Sequence, residues 1–174
     1  MSGLIHVYCG DGKGKTTAAL GLVMRACGSD FNVVFVQFLK SQETGELRIL
    51  RKLKNVAVLR GNIPSRFSWE FTEEEKKTVF DEHNRLFKDA ILSIDNANKT
   101  LLVFDEIIGA MSKNLIDTDM VLRFLKKKES GAEIVLTGRN PTDELIAIAD
   151  YVSDIKKIKH PYDKGIIARK GIEN

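Results

Sequence analysis

The chain has 174 residues, 43% hydrophobic and 29% charged, with a formal net charge of +3 from 27 basic and 24 acidic side chains. That is the size and make-up of one folded domain, expected over 1–174, and it excludes a disordered chain; no apolar run approaches the roughly 20 residues of a membrane span. So mild a positive balance also argues against a nucleic-acid surface, which needs a dense basic patch. Cys9 and Cys27 are the two cysteines, one of them inside a glycine-rich turn, so neither a structural disulfide nor a zinc cluster is expected. No secretory apolar region follows Met1, and a cytoplasmic setting with no membrane partner fits.

The first predicted strand is the apolar run Leu4 to Tyr8, and the segment Tyr8 to Ala19, "YCGDGKGKTTAA", follows it directly. Its glycines let successive backbone N–H groups fold around an anion, and a helix starting near Lys15 aims its positive end at the same point. Lys15 adds a charge and Thr16 a hydroxyl for Mg²⁺. The pattern G-x-x-x-x-G-K-[ST] is met in its second half by Gly14, Lys15 and Thr16. Its first position falls on Cys9, and the nearest glycine is Gly10. The expectation is a bound nucleoside triphosphate.

Further strands are predicted at Asn32 to Phe38, Asn55 to Leu59, Leu101 to Asp105, Glu133 to Thr137 and Tyr151 to Ile158, with helical patterns between them. Alternation of this kind predicts an α/β fold around an open, mainly parallel sheet, and the mostly continuous apolar runs imply helices on both faces. The last strand carries Lys156, Lys157 and Lys159 nearby and reads as an edge with one wet face.

Thr72 and Glu75 have capping-box spacing at the head of the longest helix, whose inner face is read as Phe80, His83, Phe87, Ala90, Ile91 and Ile94; His83 is expected to be packed or half-buried. An amphipathic helix begins near Asp117 and ends in the basic run Lys126 to Lys128, which suits a solvated helix C-terminus. Asn140 and Pro141 read as the N-cap and first residue of another helix.

In an open parallel sheet, ligands sit beyond the carboxyl ends of the strands. The phosphate loop, Gln37 to Lys40, Asp105 with Glu106, and Thr137 to Arg139 each fall at such an end. Two acids closing the buried run "LLVFDE" are costly to desolvate unless a cation or hydrogen bonds compensate, and Mg²⁺ on a triphosphate is the natural compensator. Glu106 is open to three readings: metal ligand, base for water, or helix-start acid. Between Gly61 and Thr72, Phe67, Trp69 and Phe71 alternate in an expected loop containing the chain's one tryptophan. These rings either plug the core or form a surface that stacks on a large flat ligand.

Taken in order, "GDGKGKTTAALG", "VVFVQFLK", "FSWE", "VFDEI", "VLTGR" and "KHPYDKGIIARKGIE" resemble the P-loop corrinoid adenosyltransferases of the BtuR/CobA/CobO type along essentially the whole chain. The resemblance implies a P-loop, RecA-like domain. It also implies transfer of the 5′-deoxyadenosyl group from ATP to the cobalt(I) of a reduced corrinoid, with release of triphosphate. On this resemblance Gly10, Asp11, Gly12, Lys13, Gly14, Lys15, Thr16 and Thr17 would surround the phosphates, with Gln37, Lys40 and Arg139 near the nucleotide.

Thr16, with Glu106, Asp105 or both, would hold Mg²⁺. Lys15, Phe67 and Trp69 would be the working side chains, the two rings pressing on the lower face of the corrin and displacing its axial base, which eases reduction of cobalt(II). A flavoprotein electron donor and a homodimer are what the family implies. The first strand begins almost at Met1, where many members carry an extension over the neighbouring site, so the lid and the dimer are the expectations it puts in question. The alternative readings are a small P-loop kinase or ATPase with Glu106 or Asp105 as base, and a nucleotide-binding subunit without catalysis.

Overall fold

The computed structural model describes residues 3–66, 68–94, 99–127 and 131–173. Its six strands are β1 (Ile5–Cys9), β2 (Asn32–Gln37), β3 (Val56–Arg60), β4 (Thr100–Asp105), β5 (Glu133–Thr137) and β6 (Tyr151–Asp154). They form one sheet in the order β3-β2-β4-β5-β1-β6, and every pairing is parallel. The six helices are α1 (Lys15–Cys27), α2 (Gly45–Leu50), α3 (Glu73–Leu92), α4 (Ile107–Ser112), α5 (Thr118–Lys127) and α6 (Asp143–Ile148). None of them is long and apolar enough to cross a membrane.

Strand side chains alternate between two cores, which is why the apolar runs are unbroken. Val33, Phe35, Leu101, Val103 and Val135 pack with Ala19, Val23 and Ala26 of α1 and with Leu47 and Leu50 of α2. Their neighbours Val34, Val36, Leu102, Phe104, Ile134 and Leu136 face the opposite way, toward residues of α3, α4, α5 and α6. The central strand β4 is buried at all six positions, whereas β6 is exposed at all four. An edge strand was expected there, but it ends at Asp154; the following lysines belong to a loop.

Helix α3 begins as the sequence requires. The Glu75 N–H donates to the Thr72 hydroxyl at 3.2 Å, and the Thr72 N–H donates to the Glu75 carboxylate at 2.8 Å. Its buried face is Val79, His83, Leu86, Phe87 and Ala90, so Phe80 is partly exposed and Val79 takes the inner position expected of it. The expected start of α6 at Asn140 is corrected. Thr142 is the N-cap, accepting from the Leu145 N–H at 3.2 Å, while Asn140 has a φ of 55° and completes the turn out of β5. Of the basic run, Lys126 and Lys127 close α5; Lys128 lies outside the described residues.

Candidate functional site: a phosphate loop, a buried carboxylate and an exposed tryptophan

The loop between β1 and α1 explains the missing first glycine. The positive φ angles fall on Gly10 (106°) and Gly14 (122°). Cys9 ends β1 with its side chain in the core, 5% exposed, so its position needs no left-handed backbone. Gly10 and Gly12 are small for a further reason: a Cβ would come within 2.4 Å and 2.6 Å of the Ile155 carbonyl oxygen. The stretch after β6 braces the loop from that side. The Gly12 N–H donates to the Ile155 carbonyl at 2.7 Å, and the Ile155 N–H donates to the Cys9 carbonyl at 2.9 Å. Asp11 turns its carboxylate onto the Lys157 N–H at 3.0 Å, which holds the acid below the usual carboxylate range.

Lys15 curls over its own loop and donates to the Gly12 carbonyl at 2.8 Å. Burial pushes its pKa down, with Glu106 acting in the opposite direction. At the end of β4, Asp105 is fully buried and accepts from four donors. Its Oδ1 takes the hydroxyls of Thr16 and Thr137, each at 2.8 Å. Its Oδ2 takes the Lys40 ammonium at 2.7 Å and the Gln37 amide at 3.3 Å. Three strands, β2, β4 and β5, the loop after β2 and α1 therefore meet at one carboxyl group.

Glu106 is half-buried and has a φ of 63°, a conformation of some cost in a non-glycine residue. It turns the chain sharply from β4 into α4, and its N–H donates to the Thr137 hydroxyl at 2.9 Å. Gly138 completes the corner with a φ of 146°, and a Cβ there would lie 2.7 Å from that of Ile108.

Two adjoining cavities open from this centre. One, of about 370 Å³, lies over Asp11 to Thr17 and is closed by Glu106, Arg139 and the C-terminal residues Tyr162, Ile166, Arg169 and Glu173. The other, of about 730 Å³, lies beyond Thr16 and Thr17, between Leu39 to Glu46, Ser65, Arg66 and Gly171 to Glu173. Arg169 pairs with Glu173 through its Nη2 at 2.9 Å, which holds the Glu173 carboxyl down to about 2. The motif resemblance extended to this tail, but neither spacing nor periodicity marks it as a cavity wall.

The aromatic segment divides. Ser68–Glu70 is a single 3₁₀ turn; Phe71 is buried at 6% exposure, while Trp69 is 72% exposed. Lys113 holds the turn, donating to the Ser68 hydroxyl at 2.6 Å and standing 5.9 Å over the Trp69 ring. Phe67 lies outside the described residues, and Trp69 lines neither cavity.

Among the described residues no group of three or more His, Cys, Asp or Glu side chains could hold a metal ion by itself. The donors near the loop suit Mg²⁺ bound mainly through phosphate oxygens and water, with a hydroxyl and one carboxylate from the protein. The carbonyl oxygen of Gln37, buried beside Asp105 without a hydrogen-bond partner, is an acceptor left over for such a water.

A parallel sheet with one strand between the loop-bearing β1 and the acid-bearing β4, and a hydroxyl of that loop bonded to the acid, defines a P-loop nucleotide-binding protein. The fold is shared with the solved "cytoplasmic domain of EssC" (TM-score 0.54, 16% identity, covering 97% of this chain and 34% of that one). It is also shared with "EssC (ATPases 2 and 3) from Geobacillus thermodenitrificans" (TM-score 0.56, 13% identity, 98% and 35%).

The model of the family described as "ATP:corrinoid adenosyltransferase BtuR/CobO/CobP" matches residues 1–174. The chain is 34% identical over 173 residues to a corrinoid adenosyltransferase of Sinorhizobium sp, covering 98% of this chain and 80% of that protein. It is 30% identical over 176 residues to corrinoid adenosyltransferase CobA of Salmonella typhimurium, covering 98% and 85%. The protein belongs to the ATP:corrinoid adenosyltransferase family, a family of enzymes.

Proposed function

We propose that the chain is a single P-loop domain that transfers the 5′-deoxyadenosyl group of ATP to the cobalt(I) of a reduced corrinoid and releases inorganic triphosphate. The observation that carries this chemistry is the family match over residues 1–174, and the saturation of Asp105 by four donors speaks against Asp105 as the base of a phosphate-cleaving enzyme. A carboxylate committed in this way is not free to take a proton from water. Attack by cobalt(I) on the ribose C5′ carbon needs no such base, because the nucleophile is the reduced metal of the substrate.

What the reaction asks of the protein is a grip on a departing polyanion. The N–H groups of residues 13–17 and the Lys15 ammonium would supply it, with Lys13, Arg139 and Arg169 on the cavity wall. Mg²⁺, held by Thr16 and by Glu106, Asp105 or both, would neutralise charge on the leaving group. Phe67 and Trp69 would press on the lower corrin face, and the 72% exposure of Trp69 supports that role. Reduction of cobalt would come from an external donor, for which a flavoprotein is the proposal, acting in the cytoplasm on a homodimer.

Chain, ATP, Mg²⁺ and chemically reduced cobalamin should yield a light-sensitive alkylcobalamin and intact triphosphate by mass analysis. ADP and phosphate, formed with or without corrinoid, would refute the reading in favour of a kinase or ATPase.

A further inference from the structure

Lys40 lies three residues beyond β2, after Leu39 has taken a φ of 56°, and its carbonyl is fixed by the Arg60 guanidinium at 3.2 Å. With its backbone held, its ammonium reaches into the acidic centre, 2.7 Å from Asp105 Oδ2 and 3.2 Å from the Thr16 hydroxyl oxygen. Asp105 is fully buried, and a buried carboxylate without a counter-charge is strongly destabilising. Lys40 supplies that charge.

The Thr16 hydroxyl has one proton, which it donates to Asp105 Oδ1 at 2.8 Å, leaving a lone pair for Lys40. The ammonium thus occupies the two kinds of oxygen, one hydroxyl and one carboxylate, that a divalent cation arriving on a triphosphate would need. Two cations on that pair of oxygens repel one another. Asp105 is walled in on every side, but the Lys40 side chain is 32% exposed. It also lines the 730 Å³ cavity that begins at Thr16 and Thr17. Only the lysine has somewhere to go.

We propose that Lys40 is a built-in cation placeholder. Its ammonium neutralises Asp105 while no nucleotide is bound, and it yields the Thr16 and Asp105 oxygens to the divalent cation that enters with the triphosphate. It then turns to the triphosphate itself as a further cationic partner. The inference rests on the nucleotide-and-metal half of the proposed function and not on the corrinoid half.

Paramagnetic resonance of Mn²⁺ with the full chain, without corrinoid, tests it. The unaltered chain should take up Mn²⁺ only together with ATP. Lys40→Met, which removes the resident cation, should bind Mn²⁺ in the absence of ATP about tenfold or more tightly than the unaltered chain, while Lys40→Arg should behave as the unaltered chain does. Lys40→Met should also bind ATP several-fold more weakly when Mn²⁺ is saturating. Equal Mn²⁺ affinity of the unaltered chain with and without ATP overturns the proposal and requires no variant. A folded Lys40→Met whose ATP-free Mn²⁺ affinity stays within about twofold of the unaltered chain overturns it as well. If adenosyl transfer alone is wrong, alkylcobalamin fails to form while every one of these binding results stands.

Discussion

The phosphate end of the molecule and the aromatic turn are built in opposite ways. Around Asp105, the backbone and every donor but Lys40 are set before any ligand arrives, with four donors on one buried carboxylate and glycines where a Cβ would strike the chain behind them. At Ser68–Glu70 a tryptophan stands 72% exposed on one helical turn, with Lys113 beside it. A polyanion with a fixed charge pattern rewards preorganised donors. A large flat ligand is met by an exposed ring, and its affinity comes from area buried on binding.

Between the two regions sits His83. Its Nδ1 donates to the Leu115 carbonyl at 2.8 Å and its Nε2 accepts from the Leu39 N–H at 3.4 Å. One neutral imidazole therefore links α3, which follows the aromatic turn, to the residue before Lys40.

The largest expected effect breaks the phosphate end alone. Gly10→Ala sets a Cβ against the Ile155 carbonyl at 2.4 Å on a backbone with φ of 106°, and should cost about 3 kcal/mol. Calorimetry should find ATP binding abolished. An alanine variant that binds ATP normally would mean the brace behind the loop is dispensable.

Next comes the link between the regions. Burial lowers the His83 pKa from 6.5 to about 4, against the opposing pull of the Leu115 carbonyl and of Glu82. The folded state then binds fewer protons than the unfolded one between those values, so stability is complete above pH 6.5 and is lost as pH falls toward 4. Roughly 3 kcal/mol is at stake in that window. Urea titrations across it should lose that slope in a folded His83→Gln variant.

Trp69→Ala should sharpen the contrast from the other side. Loss of the exposed ring should leave stability within about 0.5 kcal/mol and ATP affinity unchanged, while corrinoid binding weakens about tenfold. Corrinoid titration followed by visible absorbance checks it, and unchanged affinity would remove the ring from the proposed site. The smallest effect is Thr72→Ala, which loses the hydroxyl that accepts from the Glu75 N–H but keeps the backbone N–H that donates to the Glu75 carboxylate, and should cost about 1 kcal/mol in thermal unfolding.

Much of the phosphate end was legible in the sequence because its parts are local. Lys15 and Thr16 follow Gly14 in the chain, and Asp105 and Glu106 follow a strand. Nothing local reports that β5 would lie between β1 and β4 and bring Thr137 onto the same carboxylate, since that contact spans 32 residues. The helix start misread at Asn140 has a similar origin. The pair Asn140-Pro141 has the right chemistry for a cap, but the left-handed φ at Asn140 serves the turn after Gly138, and Thr142 caps one residue before α6. The aromatic triplet was ambiguous for a different reason. Spacing of two would put Trp69 and Phe71 on one face of an extended segment, and only the 3₁₀ turn at Ser68–Glu70 separates them, Phe71 into the core and Trp69 outward.

The sequence by itself determined the layers, the parallel strands, the phosphate loop and the family. Those follow from hydrophobic period, glycine placement and motif order, all properties of short stretches. The tertiary structure alone decided that Asp105 is shared by Thr16, Thr137, Gln37 and Lys40, that the tail after β6 braces Gly10 and Gly12, and that Trp69 faces outward. Each of these is a meeting of segments far apart in the chain, and strand order decides which side chains share a buried charge.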